Sequence, residues 1–403
     1  MSLLLAFGLA LMAAVLVSEY AQRSVLSTSV MFLLAGGAVG ASGFQLLGFE
    51  ANDATMRFFA ELALFGVLFV EGTELPLRRL SRAWRLPGRA LLLGMPLTAG
   101  TIALGGHFVL GMTWLEAFLV GAILSPTDPT LVGELLRREA VPVRLRRLLA
   151  VESGLNDGLA LPVVVTLLDL LRRQELRLWS TLGEGGLGIA LGVIAPGAFT
   201  WLEKRSFFGV SQRYRSLGGI AVGCAVYALS DLLHANEFLA AFASGATLAT
   251  TSPSLATALK EVGDPVTEAL KLAALLILGA MLSIQHLLET GVAGFAFALI
   301  ALLAARPLAL ALALVNGGLT RGEWLAAAWF GPKGFASLFY ALLLLQTGVP
   351  RGHWLFQPVA LVIVLSILAH SSTDVLVGRR FSKEPPEVGQ GAQSDPGSEP
   401  HPS

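Results

Sequence analysis

Four short stretches of this chain carry residue types that can hold an ion. The first is Ser125-Pro126-Thr127-Asp128-Pro129-Thr130. A proline inside a helix removes an N–H and clashes with the carbonyl four residues earlier. Pro126 and Pro129 are therefore expected to free the carbonyls of Ala122 and Ser125. Freed carbonyls, hydroxyls and a carboxylate are what a hard cation needs in place of its water. Asp128 supplies the carboxylate and Thr127 a hydroxyl. The simpler alternative is a proline kink with Asp128 bonded to neighbouring amides. The second stretch is Glu152-Ser153-Gly154-Leu155-Asn156-Asp157. On a helix Glu152 stacks over Asn156 and Ser153 over Asp157, which makes one polar stripe. Gly154 and Gly158 thin that helix and admit a close neighbour. Two carboxyls this near repel in a low-dielectric setting unless one is neutralised, so a cationic partner is expected.

Arg306, in the apolar run Leu302-Leu303-Ala304-Ala305-Arg306-Pro307, is the candidate for that partner. Its guanidinium keeps its charge, and a buried Arg306 and a buried Glu152 each need the other. The alternative is that Arg306 snorkels to the inner surface. The fourth stretch is Gly331-Pro332-Lys333-Gly334, where Lys333 is placed to offset the partial negative charge of exposed helix-end carbonyls. Other ionisable groups carry weaker signals. Glu71 and Glu74 lie near the inner end of a span, at the interface or in an ion funnel. Asp169, Asp231, Glu237 and Asp374 fall near span ends and are expected to be solvated. His107 and His370 are pH-responsive candidates only by their position in or near spans.

These residues sit in a chain made for lipid. Of 403 residues, 54% are hydrophobic and 14% charged, with a mean hydropathy of +0.70. Soluble domains carry about 25% charged residues, so the apolar surface belongs against a bilayer rather than in one core. Zero net charge argues against a nucleic-acid surface. The single cysteine, Cys224, rules out a disulfide framework and a multi-cysteine metal centre. No cofactor is expected. The segment from Leu3 to Val17 lacks a positive n-region and a convincing cleavage site before Tyr20, so it reads as a retained span. About 13 spans follow from hydropathy, near 2–22, 28–48, 56–77, 89–111, 114–136, 147–171, 179–202, 215–233, 236–255, 268–288, 291–316, 321–348 and 355–377. Each reaches the ~20 residues a helix needs to cross a bilayer. Helix is the expected form, because backbone facing lipid must satisfy its own hydrogen bonds.

Charge orients the map. With the N-terminus outside, the inner connections hold clusters such as Arg78, Arg79, Arg82, Arg85 and Arg89, then Arg137, Arg138, Arg144, Arg146 and Arg147, with Lys260 and Lys271 further on. The outer ones hold only Arg57, Arg172, Arg173, Arg177 and Arg351. That asymmetry is the positive-inside pattern. Spans 1–6 and 8–13 then run in opposite senses as inverted repeats, about 1–172 and about 213–378, joined by a linker helix near 179–202. The interruptions in spans 5 and 12 fall at matching places, where such transporters build their ion site. Residues 379–403 read as a short disordered cytoplasmic tail.

Taken together, Thr127-Asp128-Pro129, Glu152-Ser153, Asn156-Asp157, Arg306-Pro307 and Gly331-Pro332-Lys333-Gly334 resemble the monovalent cation/proton antiporters, in the sodium/proton exchanger-like branch. The resemblance spans residues 1 to about 378. It implies that Asp157 binds cation and proton in turn, that Asp128, Ser153 and Thr127 complete the ion shell, and that Glu152 and Arg306 form a structural pair. It further implies that Asn156 ties the broken elements together, in a homodimer whose six-helix core moves to give alternating access. Lys333 departs from the family, where many members carry Arg in a Gly-x-Arg-Gly motif. The expected function is exchange of Na+ for H+ across a bacterial inner membrane, without enzymatic chemistry; K+/H+ exchange is the alternative, and a sodium-coupled symporter a more distant one. An intramembrane aspartyl protease is disfavoured because no Gly-x-Gly-Asp or Tyr-Asp string is present, and a channel because its pore loops are symmetric.

Overall fold

The computed structural model describes residues 3–23, 28–40, 43, 54–73, 85–128, 141–173, 178–205, 209–282 and 284–381. Its described residues form helices and connecting turns, without strands. Five helices are long and apolar enough to cross a membrane: Arg85–Leu110, Val143–Arg172, Leu182–Glu203, Gly291–Ala313 and Gly352–His370. Leu92, Leu104, Phe108, Leu303, Leu308 and Leu312 stand exposed on two of them, an apolar surface that a water-soluble monomer does not display at this density.

In chain order the helices used below are α1 (Leu3–Arg23), α2 (Thr28–Val39), α3 (Ala54–Gly72), α4 (Arg85–Leu110), α5 (Trp114–Leu124), α6 (Val143–Arg173) and α7 (Leu178–Glu203). The second half holds α8 (Arg215–Leu232), α9 (Glu237–Thr251), α10 (Pro253–Met281), α11 (Gly291–Ala313), α12 (Arg321–Trp329), α13 (Phe335–Gln346) and α14 (Gly352–Phe381). The break expected in span 5 begins at Ser125, where α5 ends; its continuation past Asp128 lies outside the described residues. The break expected in span 12 covers residues 330–334, between α12 and α13.

Two local devices occur in both halves of the chain. Thr113 and Glu116 close a reciprocal capping box at the start of α5, and Thr320 and Glu323 close another at the start of α12. Each box opens a helix of about three turns or fewer that runs into a proline-bearing extended segment. In α4 a wide π-type turn over Ala90–Gly94 precedes Pro96, and in α11 another over Ile300–Ala304 precedes Pro307. Such turns absorb the carbonyls a proline strips of their donors.

One expectation is corrected. Hydropathy assigns Lys260 and Lys271 to an inner connection before a span at 268–288. Instead α10 starts at Pro253 and runs unbroken to Met281, so both lysines lie on a helix. Proline is favoured at a first helical turn, because the missing N–H has no helical partner there anyway. The last span is also longer than read: α14 continues to Phe381.

Candidate cation site

α6 carries the polar stripe as expected, with Glu152, Ser153, Asn156 and Asp157 all buried. Its neighbour is the extended segment after α5. Thr127 Oγ1 lies 3.0 Å from Ser153 Oγ. Asn156 Nδ2 donates to that same hydroxyl at 2.7 Å and to the Thr127 carbonyl at 3.3 Å. Thr127 is thus locked to α6 through both side chain and backbone. Tyr340 Oη, on α13, donates to the Asp157 carbonyl at 2.8 Å. The remaining acceptors are less well served. Among the described residues, Asp157 Oδ1 and Asn156 Oδ1 are buried with no hydrogen-bond donor.

The two breaks bind each other. Asp128 N–H donates to the Pro332 carbonyl at 3.0 Å. Asp128 Oδ2 accepts from the Phe335 N–H, the first of α13, at 2.9 Å. A carboxylate at that end meets the positive pole of the helix. Lys333 is 1% exposed; its Nζ lies 3.4 Å from the carbonyls of both Ser125 and Pro126, at the end of α5. It does offset helix-end carbonyls, but those of the opposite break. Of the two carbonyls expected to be free, that of Ala122 is already taken by the Ser125 hydroxyl and N–H. α14 steadies the arrangement: Ser366 Oγ accepts from the Lys333 N–H at 2.7 Å, and His370 Nε2 lies 2.9 Å from the Trp329 carbonyl that ends α12.

Both glycines of Gly331-Pro332-Lys333-Gly334 are required by space. A Cβ on Gly331 would strike the Arg306 side chain, and one on Gly334 would strike the Asp128 carboxylate.

The Glu152–Arg306 pair forms in two-pronged geometry, Nη1 to Oε1 at 2.6 Å and Nη2 to Oε2 at 2.9 Å. Arg306 Nε donates to the Ala327 carbonyl at 2.9 Å. Arg306 is 5% exposed, so it does not snorkel. Its charge is spent on Glu152, which leaves Asp157 without that cation.

Sequence reading missed Lys271. Its Nζ lies 2.8 Å from Glu71 Oε1, with both side chains largely buried. Glu71 is thus paired with Lys271, whereas Glu74 lies outside the described residues. The available signal was Ser252-Pro253, which starts α10 early enough to make Lys271 an interior residue. Tyr340 was also missed, since a tyrosine in an apolar run announces no partner. Asp231 is exposed and Asp169 and Glu237 are half-buried; the Asp374 side chain lies outside the description. His107 stacks on Trp114 with ring centroids 4.0 Å apart, away from the site residues.

Long apolar helices around a buried polar centre, where the segment that leaves α5 meets the break between α12 and α13, define an integral multi-pass membrane protein. The chain belongs to the family described as sodium/hydrogen exchanger, transmembrane, whose model matches residues 8–377. The protein named K(+)/H(+) antiporter NhaP from Alkalimonas amylolytica is 26% identical over 365 residues, covering 89% of this chain and 63% of its own. K(+)/H(+) antiporter NhaP2 of Shewanella oneidensis is 26% identical over 384 residues, covering 92% and 66%. The chain therefore spans just under two thirds of the length of these relatives. The solved structure of the sodium proton antiporter MjNhaP1 from Methanocaldococcus jannaschii has a TM-score of 0.78 and 19% identity, covering 95% of this chain and 100% of that one. That similarity establishes the fold.

Proposed function

We propose that this chain exchanges a monovalent cation for a proton, one for one, and that Asp157 is the carboxylate the two share. The observation that carries this reading is the buried Asp157 Oδ1, which meets no donor among the described residues. An unpaired buried acceptor costs about 1–3 kcal/mol, and more when charged. A proton removes the buried charge and a bound cation balances it, and the two exclude each other on one carboxylate. Exchange then follows from occupancy of one group, with no separate coupling device. Thr127, Ser153 and Asp128 supply the further oxygens, Asn156 holds Thr127 in place, and Glu152 with Arg306 forms a structural pair.

Sodium is the proposed cargo, in line with the family description. Potassium is the second reading, favoured by the names of the two relatives above. The paired capping boxes and the paired π-type turns support two inverted repeats, about 1–172 and about 213–378, within a span count of about 13. Outside N-terminus, cytoplasmic C-terminus, inner-membrane location and homodimer complete the proposal.

The test uses the purified chain in vesicles that trap a pH-sensitive dye, with an imposed acid interior. Addition of the sodium, potassium or lithium chloride salt should dequench the dye, and Asp157→Asn should abolish the response while the protein stays folded. Wild-type vesicles inert to every salt would overturn the proposal. Retention of more than about a tenth of the wild-type rate by Asp157→Asn would remove Asp157 from its role, since a carboxylate that carries the proton has no substitute in an amide.

A further inference from the structure

A lysine stands in a recess that borders the cation site. Asp128, Glu268, Lys271, Gly334 and Phe335 line one small recess. Glu268 is exposed, whereas Lys271, a turn further along α10, is half-buried with its side chain 13% exposed. The same recess is lined by Asp128 and by Phe335 at the start of α13. The Lys271 ammonium bonds Glu71 at 2.8 Å and stands 5.6 Å from the centroid of the Phe335 ring. Carboxylates so arranged attract cations, and the chain fills that place with a cation of its own.

An ammonium and a monovalent metal ion carry the same charge and seek the same carboxylate oxygens. A pair serving only to fasten α3 to α10 has no reason to share a recess with the Asp128 carboxylate. We propose that Lys271 is a tethered competitor of the transported cation. On this view its ammonium holds Glu71 in the present conformation, and an arriving monovalent cation reaches Asp157 through this recess by displacing it. The inference rests on the antiport reading above. Lys271 is a positioning residue: it sets the cation concentration at which the site fills and leaves the maximal rate to Asp157.

The experiment measures half-saturating sodium and maximal rate for the full chain in vesicles, as wild type, Lys271→Gln and Lys271→Arg. Lys271→Gln should lower half-saturation by at least about fivefold, the lower end of ordinary coupling between two bound species, with the maximal rate close to wild type. Lys271→Arg, which keeps the charge, should hold half-saturation near wild type. An unchanged or raised half-saturation in Lys271→Gln, or a fall in maximal rate alone, overturns the proposal while the antiport reading stands. Absence of exchange in the wild type overturns both. A second measurement needs no variant at Lys271. Acetylation of Lys271 by an amine-reactive reagent, read by mass spectrometry, should rise with sodium relative to choline in the wild type and stay flat in Asp157→Asn. Labelling indifferent to sodium in the wild type overturns the competitor role even where Lys271→Gln does not fold.

Discussion

Asp128 and Lys333 cap each other's helices. Asp128, on the segment that leaves α5, accepts the first N–H of α13. Lys333, on the segment that leaves α12, reaches the carbonyls of Ser125, the C-cap of α5, and of Pro126 just past it. Each charge meets the helix pole of opposite sign. Lys333→Met should therefore destabilise the protein by about 1–3 kcal/mol, the cost of leaving buried polar groups unpaired. Lys333→Arg should retain most of the stability. Melting in detergent checks both, and an unchanged melting temperature in Lys333→Met would show that the ammonium does not hold α5.

Asp128→Asn and Ser153→Ala should raise the half-saturating cation concentration more than they lower the maximal rate. Asparagine keeps a carbonyl acceptor for the Phe335 N–H, so this substitution removes charge and spares the cap. Half-saturation measured with sodium and potassium in vesicles is the readout. No change in either variant would take both residues out of the ion shell.

Glu152→Gln and Arg306→Ala should each cost about 3–5 kcal/mol, because each strands the partner's charge in a buried site. The double variant should lose less than the two losses together. Arg306→Ala carries an additional cost not shared with Glu152, since it also strips the Ala327 carbonyl of its donor. Additive losses in a double-mutant cycle would contradict the two-pronged bond.

Exchange should be electroneutral. Asn156 is an amide and binds no proton near neutral pH, and Arg306 keeps its charge beside Glu152. Asp157 is then the group that changes state. Sodium–proton exchange in vesicles should run at one rate at zero and at about −100 mV, a potential worth ~2.3 kcal/mol per charge moved. Acceleration by either sign of potential would point to a second titrating group, Asp128 first.

Much of this centre was legible because its residues break local rules. Two prolines beside an aspartate, and an arginine within an apolar run, have few physical explanations at that depth. The Glu152–Arg306 pair followed from charge balance alone. Lys271 did not, because a hydropathy window treats any lysine as an edge of a span. Its burial depends on Glu71, 200 positions earlier in the chain. The crossing of the two breaks was likewise hidden, since which carbonyl a lysine reaches is decided by packing rather than by sequence neighbours. The capping boxes Thr113-x-x-Glu116 and Thr320-x-x-Glu323 were readable as sequence and mark the starts of α5 and α12 more directly than hydropathy does.

The reciprocal capping also imposes an order on synthesis. The carbonyls at the end of α5 wait for a lysine that lies 207 residues further along the chain. At about 5–20 residues per second, that is a delay of about 10–40 s after Pro126 is made. Through that interval neither Lys333 nor the first N–H of α13 exists to meet the segment after α5, so the contacts that join the two breaks close only after the second has been made.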